Sequence, residues 1–222
     1  LVELHPEQQK LYKEACDELK ITLPDNPNPM ELENALTRML RLKQICGTTA
    51  AIEGHADHST KLDVCVERAV ELVDNGEHVV VFTQFRSVLE CMERRLAKAR
   101  KKRQPRVPVY VLHGDVAISE RVGVINKWAA DKPGVLVAMI QVAGVGLNMS
   151  RANTCIFVDK AWSPQVNEQA EDRLIGMEKI QPVTVMEIIT RNTVEQRVEQ
   201  ILKRKEKLFG AIVSEDRWKR KL

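Results

Sequence analysis

The sequence predicts an α/β domain built on a doubly wound parallel sheet, with a helical annex at its N-terminus. Short β-branched and apolar runs recur at Val79–Phe82, Val109–Leu112, Val135–Ile140, Cys155–Val158 and Val183–Ile189. Helical stretches separate them, at about 85–103, 117–130 and 164–174, and one more follows at 193–209. Strands apolar on both faces, alternating with amphipathic helices, form a parallel sheet covered on both sides. The composition agrees, with 44% hydrophobic but only 4% aromatic residues, so the core is packed from Val, Ile, Leu, Ala and Met. A length of 222 residues suits one such domain with a small annex.

The annex comes first. Pro6 opens an amphipathic run in which Leu11, Tyr12, Ala15 and Leu19 recur at helical spacing. Pro24, Pro27 and Pro29 end it in a loop. A second helix, Leu32–Ile45, carries Leu36, Met39, Leu40 and Leu42 on one side and stops at Gly47. Residues 48–59 read as an irregular polar stretch. Ser59 or Thr60 then caps a helix through Val73, closed by Asn75-Gly76. We therefore divide the chain into an annex over 1–58, the α/β domain over 59–209 and a basic tail over 210–222.

Charge and cysteine usage exclude more than they identify. The formal charge of +3 is mild, but residues 94–106 hold Arg94, Arg95, Lys98, Arg100, Lys101, Lys102, Arg103 and Arg106 without an acid. That run fits either a phosphate-facing surface or a solvated helix end and loop. Five cysteines show neither a CxxC pair nor zinc spacing, and Cys65, Cys91 and Cys155 lie within apolar patterns, as buried reduced thiols do. The five histidines form no ligand set, so no metal site is expected. No apolar stretch of about 20 residues points to a membrane. A cytoplasmic protein is expected, nucleoid-associated if its source is bacterial or phage. The chain opens on Leu1 rather than Met, as a piece of a longer protein would.

In an open parallel sheet, ligands bind at the carboxyl ends of the strands. The strands here end in Thr83-Gln84-Phe85-Arg86, His113-Gly114-Asp115, Gln141 to Asn148, and Asp159 to Pro164. Gly144 and Gly146 would let backbone N–H groups approach a phosphate, although a lone GxG serves sharp turns as often. The continuation is more specific: Trp162-x-Pro164 is followed at fixed spacing by Gln169-Ala170-x-Asp172-Arg173.

This ordered set resembles the C-terminal, RecA-like lobe of the Swi/Snf-type branch of superfamily-two helicases and translocases. Phe82-Thr83-Gln84-Phe85 matches that family's Phe-(Ser/Thr)-Gln-(Phe/Tyr) strand end. Leu112-His113-Gly114 with Arg121 matches its Leu-x-Gly followed by arginine. Gly144-Val145-Gly146-Leu147-Asn148 resembles its glycine motif, Asp159, Trp162 and Pro164 its Asp-x-x-Trp-x-Pro element, and the arginine motif begins at Gln169. Outside the sheet edge, Val2-x-Leu4-x-Pro6-x-Gln8-x-x-x-Tyr12, Leu40 to Cys46, Ser59-Thr60-Lys61-Leu62 and Thr193 to Val198 are similar to further family segments, so the resemblance runs almost end to end.

The resemblance implies a motor of two lobes with ATP between them, moving along double-stranded DNA. ATP and Mg would be held mainly by the N-terminal RecA-like lobe of the same parent chain, because neither GxxxxGK[ST] nor an acidic magnesium motif occurs here. This lobe would supply Arg173 to the nucleotide as catalytic residue, with Gly144, Gly146, Asn148 and Gln169 also on the ATP side. Thr83, Gln84, His113, Gly114, Arg121, Gly144 and Asn148 would meet DNA phosphates. The fragment alone would not hydrolyse ATP.

Two departures stand out. Met139-Ile140 replaces the Ser or Thr usual before the glycine motif, removing one expected hydroxyl contact. The family's Asp-Arg-x-x-Arg-Ile-Gly is shortened to Asp172-Arg173-Leu174-Ile175-Gly176. Either the second arginine is lost, or two residues are missing between Leu174 and Ile175. A binding module that holds nucleic acid without catalysis is the competing reading.

Overall fold

The computed structural model describes residues 1–20, 29–99, 107–143, 146–175 and 182–202. The tail at 210–222, the basic residues 100–106 and Gly144 lie outside these. Five parallel strands form one sheet in the order β2–β3–β1–β4–β5. They are β1 (Val79–Thr83), β2 (Val109–Leu112), β3 (Val135–Met139), β4 (Thr154–Phe157) and β5 (Thr184–Glu187). Helices α1 (Pro6–Lys20), α2 (Pro29–Gly47) and α3 (Thr60–Asp74) precede the sheet. Within it come α4 (Arg86–Lys98), α5 (Ile118–Ala130), the single turn α6 (Ile140–Ala143) and α7 (Pro164–Asp172). Residues 194–202 form α8. The fold is the predicted doubly wound α/β sheet.

Alternation along the strands divides the core into two layers. Val79 and Val81 of β1 face α3 and α4, where Leu62, Cys65, Ala69, Val88, Leu89 and Met92 pack against them. Val80 and Phe82 face the other way, onto Ile125 and Trp128 of α5 and Ala170 of α7. The central strands β1 and β4 are buried along their whole length, and β3 along all but its last residue. The apolar expectation is weaker at the sheet margins. The two edge strands are less covered, β2 partly and β5 mostly exposed, because an edge strand has a neighbour on one side only.

The third strand stops one residue earlier than predicted, at Met139, because Ile140 starts the helical turn α6. Ser59 is the cap of α3: its hydroxyl accepts from Leu62 N at 3.1 Å and donates to Gly47 O at 2.6 Å. One side chain thus satisfies a helix start and a helix end. The polar stretch before it contains a short 3-10 turn, Thr49–Ala51. Arg95 pins that stretch, donating to both carboxylate oxygens of Asp57 at 2.9 and 2.8 Å, and pairing with Asp63. This member of the basic run is therefore turned inward, away from any phosphate.

The annex is tied to the rest by α8. Leu42 of α2 clusters with Val194, Val198 and Leu202, with Tyr12 and Met39 packed alongside. The Tyr12 hydroxyl accepts from Val194 N at 2.7 Å. Gln8 Nε2 caps the end of α2 through the Ile45 and Cys46 carbonyls at 2.7 and 3.1 Å.

Candidate functional site

The parallel register brings the strand ends to one edge. Leu112 of β2 pairs with Ala138 of β3, Phe82 of β1 with the same Ala138, and Phe82 also with Phe157 of β4. The residues that follow, His113, Ile140, Gln84 and Asp159, leave the sheet side by side.

Between β1 and β4 the edge is polar but buried. Asp159, 5% exposed, accepts the Thr83 hydroxyl on one carboxylate oxygen and Gln84 N on the other at 3.0 Å. Gln84 Nε2 donates to Lys160 O at 3.0 Å. Burial pushes the Asp159 carboxyl above the ordinary carboxylate range, and nearby Lys43 opposes the shift; Lys43 in turn is pushed below the ordinary lysine value by burial. Each moves toward its neutral form, because desolvation outweighs their mutual attraction.

This corrects one expectation. Thr83 is 0% exposed, donating to Asp159 and accepting from Phe85 N at 3.2 Å, so its hydroxyl faces into the fold rather than a phosphate. Asp159 is likewise committed, each of its oxygens accepting from a protein donor. Among the described residues no group of three or more His, Cys, Asp or Glu side chains gathers as a metal site.

The other predicted residues lie at the surface of the same edge. Gly114 and Asn148 are exposed, and Gln84, His113 and Arg121 are half-buried. Arg121 donates back to Val116 O at 3.0 Å and Gly114 O at 3.3 Å, so it shapes the 113–116 loop as well as carrying its charge. Asp115 N donates to His113 Nδ1 at 3.3 Å. Asn148 Oδ1 accepts from Ser150 N at 2.9 Å in a side-chain turn. Gly146 adopts φ +60, a conformation that favours glycine.

The glycine and arginine motifs meet through the backbone: Met149 N donates to Arg173 O at 2.8 Å. Gln169 is exposed on α7 and Arg173 half-buried at its C-terminal cap. The segment after Gly146 is thus tied to the C-terminal cap of α7, the helix that carries Gln169 and Arg173. The chain leaves α7 in a tight turn, with Leu174 N on Glu171 O at 2.9 Å and Ile175 N on Asp172 O at 3.1 Å. Gly176 lies outside the described residues.

Sequence reasoning missed the lysines beneath the edge. Lys61, 1% exposed, reaches both Glu195 oxygens at 2.5 Å and Val158 O at 2.9 Å. Lys43, 2% exposed, donates to Lys160 O at 2.5 Å and lies 5.5 Å from the centre of the half-buried Trp162 ring. A signal existed. Lys43 falls four residues after Met39 and three before Cys46, on the apolar side of its helix.

The helicase conserved C-terminal domain family matches residues 60–176. An "Uncharacterized ATP-dependent helicase" of Mycoplasma pneumoniae is 31% identical over 216 residues, covering 97% of this chain and 20% of its own. The chromatin-remodeling ATPase INO80 of Debaryomyces hansenii is 28% identical over 200 residues, 88% of this chain and 14% of its own. The chain thus spans about a fifth or less of these relatives. Among solved structures, the Sulfolobus solfataricus SWI2/SNF2 ATPase core in complex with dsDNA superposes with TM-score 0.76 at 28% identity, over 96% of this chain and 44% of that one. The C-terminal domain of the same ATPase gives TM-score 0.76 at 25% identity, over 95% and 86%. The chain belongs to the helicase conserved C-terminal domain family, as a RecA-like lobe of the Swi2/Snf2 type.

Proposed function

We propose that this chain is the second motor lobe of an ATP-dependent double-stranded-DNA translocase, completing an ATP site on a first lobe of the same parent chain. The observation that supports this reading is the backbone bond from Met149 to Arg173, which ties the segment after Gly146 to the end of α7. The relatives named as ATP-dependent helicase and ATPase, and a structural neighbour in complex with dsDNA, support it.

ATP would supply the phosphoanhydride bond, held with magnesium mainly by the first lobe. This lobe's residues fit the complementary part: Arg173, half-buried at the end of α7, would face charge developing at the terminal phosphate, and Gln169 would orient beside it. A guanidinium so placed contributes about 10³–10⁵ in rate. Gln84, His113, Gly114, Arg121 and Asn148 would follow the DNA backbone through N–H groups and short polar side chains, without reading bases.

The test is turnover of the longer, two-lobed protein with and without duplex DNA, beside its Arg173→Ala variant. DNA-stimulated hydrolysis that falls about a thousandfold or more in the variant is expected. The isolated lobe should show no turnover. If the two-lobed protein binds DNA but never hydrolyses ATP, the lone arginine marks a holding module instead.

A further inference from the structure

Residues 158–163 join β4 to α7, the helix that carries Gln169 and Arg173. Side-chain donors from three helices and the exit of β1 grip four of the six carbonyls of this link. Lys61 of α3 holds Val158 O, and Asn167 of α7 holds Ala161 O and Ser163 O at 3.0 and 3.1 Å. Asn167 Oδ1 also accepts Ala161 N at 2.8 Å. Lys160 O takes two donors, Lys43 Nζ from α2 at 2.5 Å and Gln84 Nε2 from the exit of β1 at 3.0 Å.

A doubly gripped carbonyl is a joint. Gln84 stands half-buried on the DNA-facing edge, whereas Lys43 is buried behind it. Burying an ammonium is costly unless a specific geometry uses it. The only carbonyl that Lys43 holds among the described bonds is that of Lys160. Any displacement of Gln84 by a bound phosphate is therefore felt at Lys160, against the fixed anchor of Lys43, and is passed along the link to α7.

We propose that Lys43 is a positioning residue for the arginine motif: by anchoring Lys160 O it sets the lead-in to α7 and couples the DNA-facing exit of β1 to Gln169 and Arg173. The functional half rests on the reading given under Proposed function; the structural half does not.

Two measurements separate them. The first is amide hydrogen exchange on this 222-residue chain as wild type, Lys43→Met and Gln84→Leu. Faster exchange at 161–173, by about tenfold as befits a lost charged-donor bond, with 79–83 and 135–139 unchanged, is expected for Lys43→Met. Should Lys43→Met lose protection everywhere, Gln84→Leu removes the other donor from a half-exposed position and should loosen the same segment. Unchanged exchange at 161–173 in Gln84→Leu and in any folded Lys43→Met overturns the proposal. The second is the ratio of ATP turnover with and without duplex DNA in the two-lobed protein, a quantity independent of active fraction. Lys43→Met should lower this ratio on the order of tenfold. An unchanged ratio in Lys43→Met, with Arg173→Ala inactive, overturns the coupling role. Full turnover in Arg173→Ala overturns instead the arginine reading on which that role rests.

Discussion

At the scale of single residues, the buried charges say most. The Lys61–Glu195 pair joins the start of α3 to α8, and Glu195 Oε2 also accepts Thr190 N at 2.9 Å. Two ions taken out of water repay their desolvation only when every donor and acceptor is used, as here. Removing one partner strands the other. Lys61→Met should therefore cost about 3–5 kcal/mol in urea unfolding, because it leaves the Glu195 carboxylate buried and unpaired. Adding Glu195→Gln removes that charge while an amide oxygen still accepts Thr190 N. The double variant should recover most of the loss; a double variant as unstable as the single would show that packing, not charge, holds this corner.

At the scale of elements, glycine separates positions that look alike in sequence. Gly134, at the entry to β3, is a crossing point: its carbonyl accepts Val79 N and Trp128 Nε1, both at 3.1 Å. A Cβ there would stand 2.7 Å from Pro108 O, backbone that itself accepts Val135 N at 2.9 Å and cannot yield cheaply. Gly134→Ala should destabilise by about 1–3 kcal/mol. Gly123, exposed in the middle of α5, meets nothing within 4 Å. There Ala only restores helix propensity, and Gly123→Ala should stabilise by about 0.5–1 kcal/mol. Thermal unfolding of both variants checks the pair, and equal shifts would contradict it.

At the scale of the whole molecule, the all-parallel sheet brings the strand ends to one edge of the domain, the surface we propose to face DNA. The donors there are mostly backbone N–H groups and neutral side chains, with Arg121 partly committed to its own loop. A lone lobe should therefore bind duplex DNA weakly and without sequence preference. With roughly two phosphate charges neutralised, affinity should fall on the order of tenfold as salt rises from about 50 to 200 mM. Titration of two unrelated duplexes at both salts measures this, and a strong preference between them would contradict backbone tracking.

The strands, the helices between them and the family were legible in the sequence, because each rests on local signals. Val79–Phe82 reads as a buried strand from its composition, Ser59 or Thr60 as a cap from its place before Lys61-Leu62, and the edge motifs from their order. The positions of Gly114, Arg121, Asn148 and Gln169 at the sheet edge follow from the same local reading. Four relations depend on contacts between residues far apart in the chain, and only the tertiary structure decided them. Thr83 turns inward because Asp159, 76 positions later, takes its hydroxyl. Arg95 leaves the basic surface because Asp57 and Asp63 take its guanidinium. Lys61 finds its counter-ion 134 residues on, and Lys43 its carbonyl 117 residues on. A side chain's periodicity tells which face of its element it occupies. Whether that face offers it water, a carboxylate or a carbonyl is set by the neighbours that folding brings there.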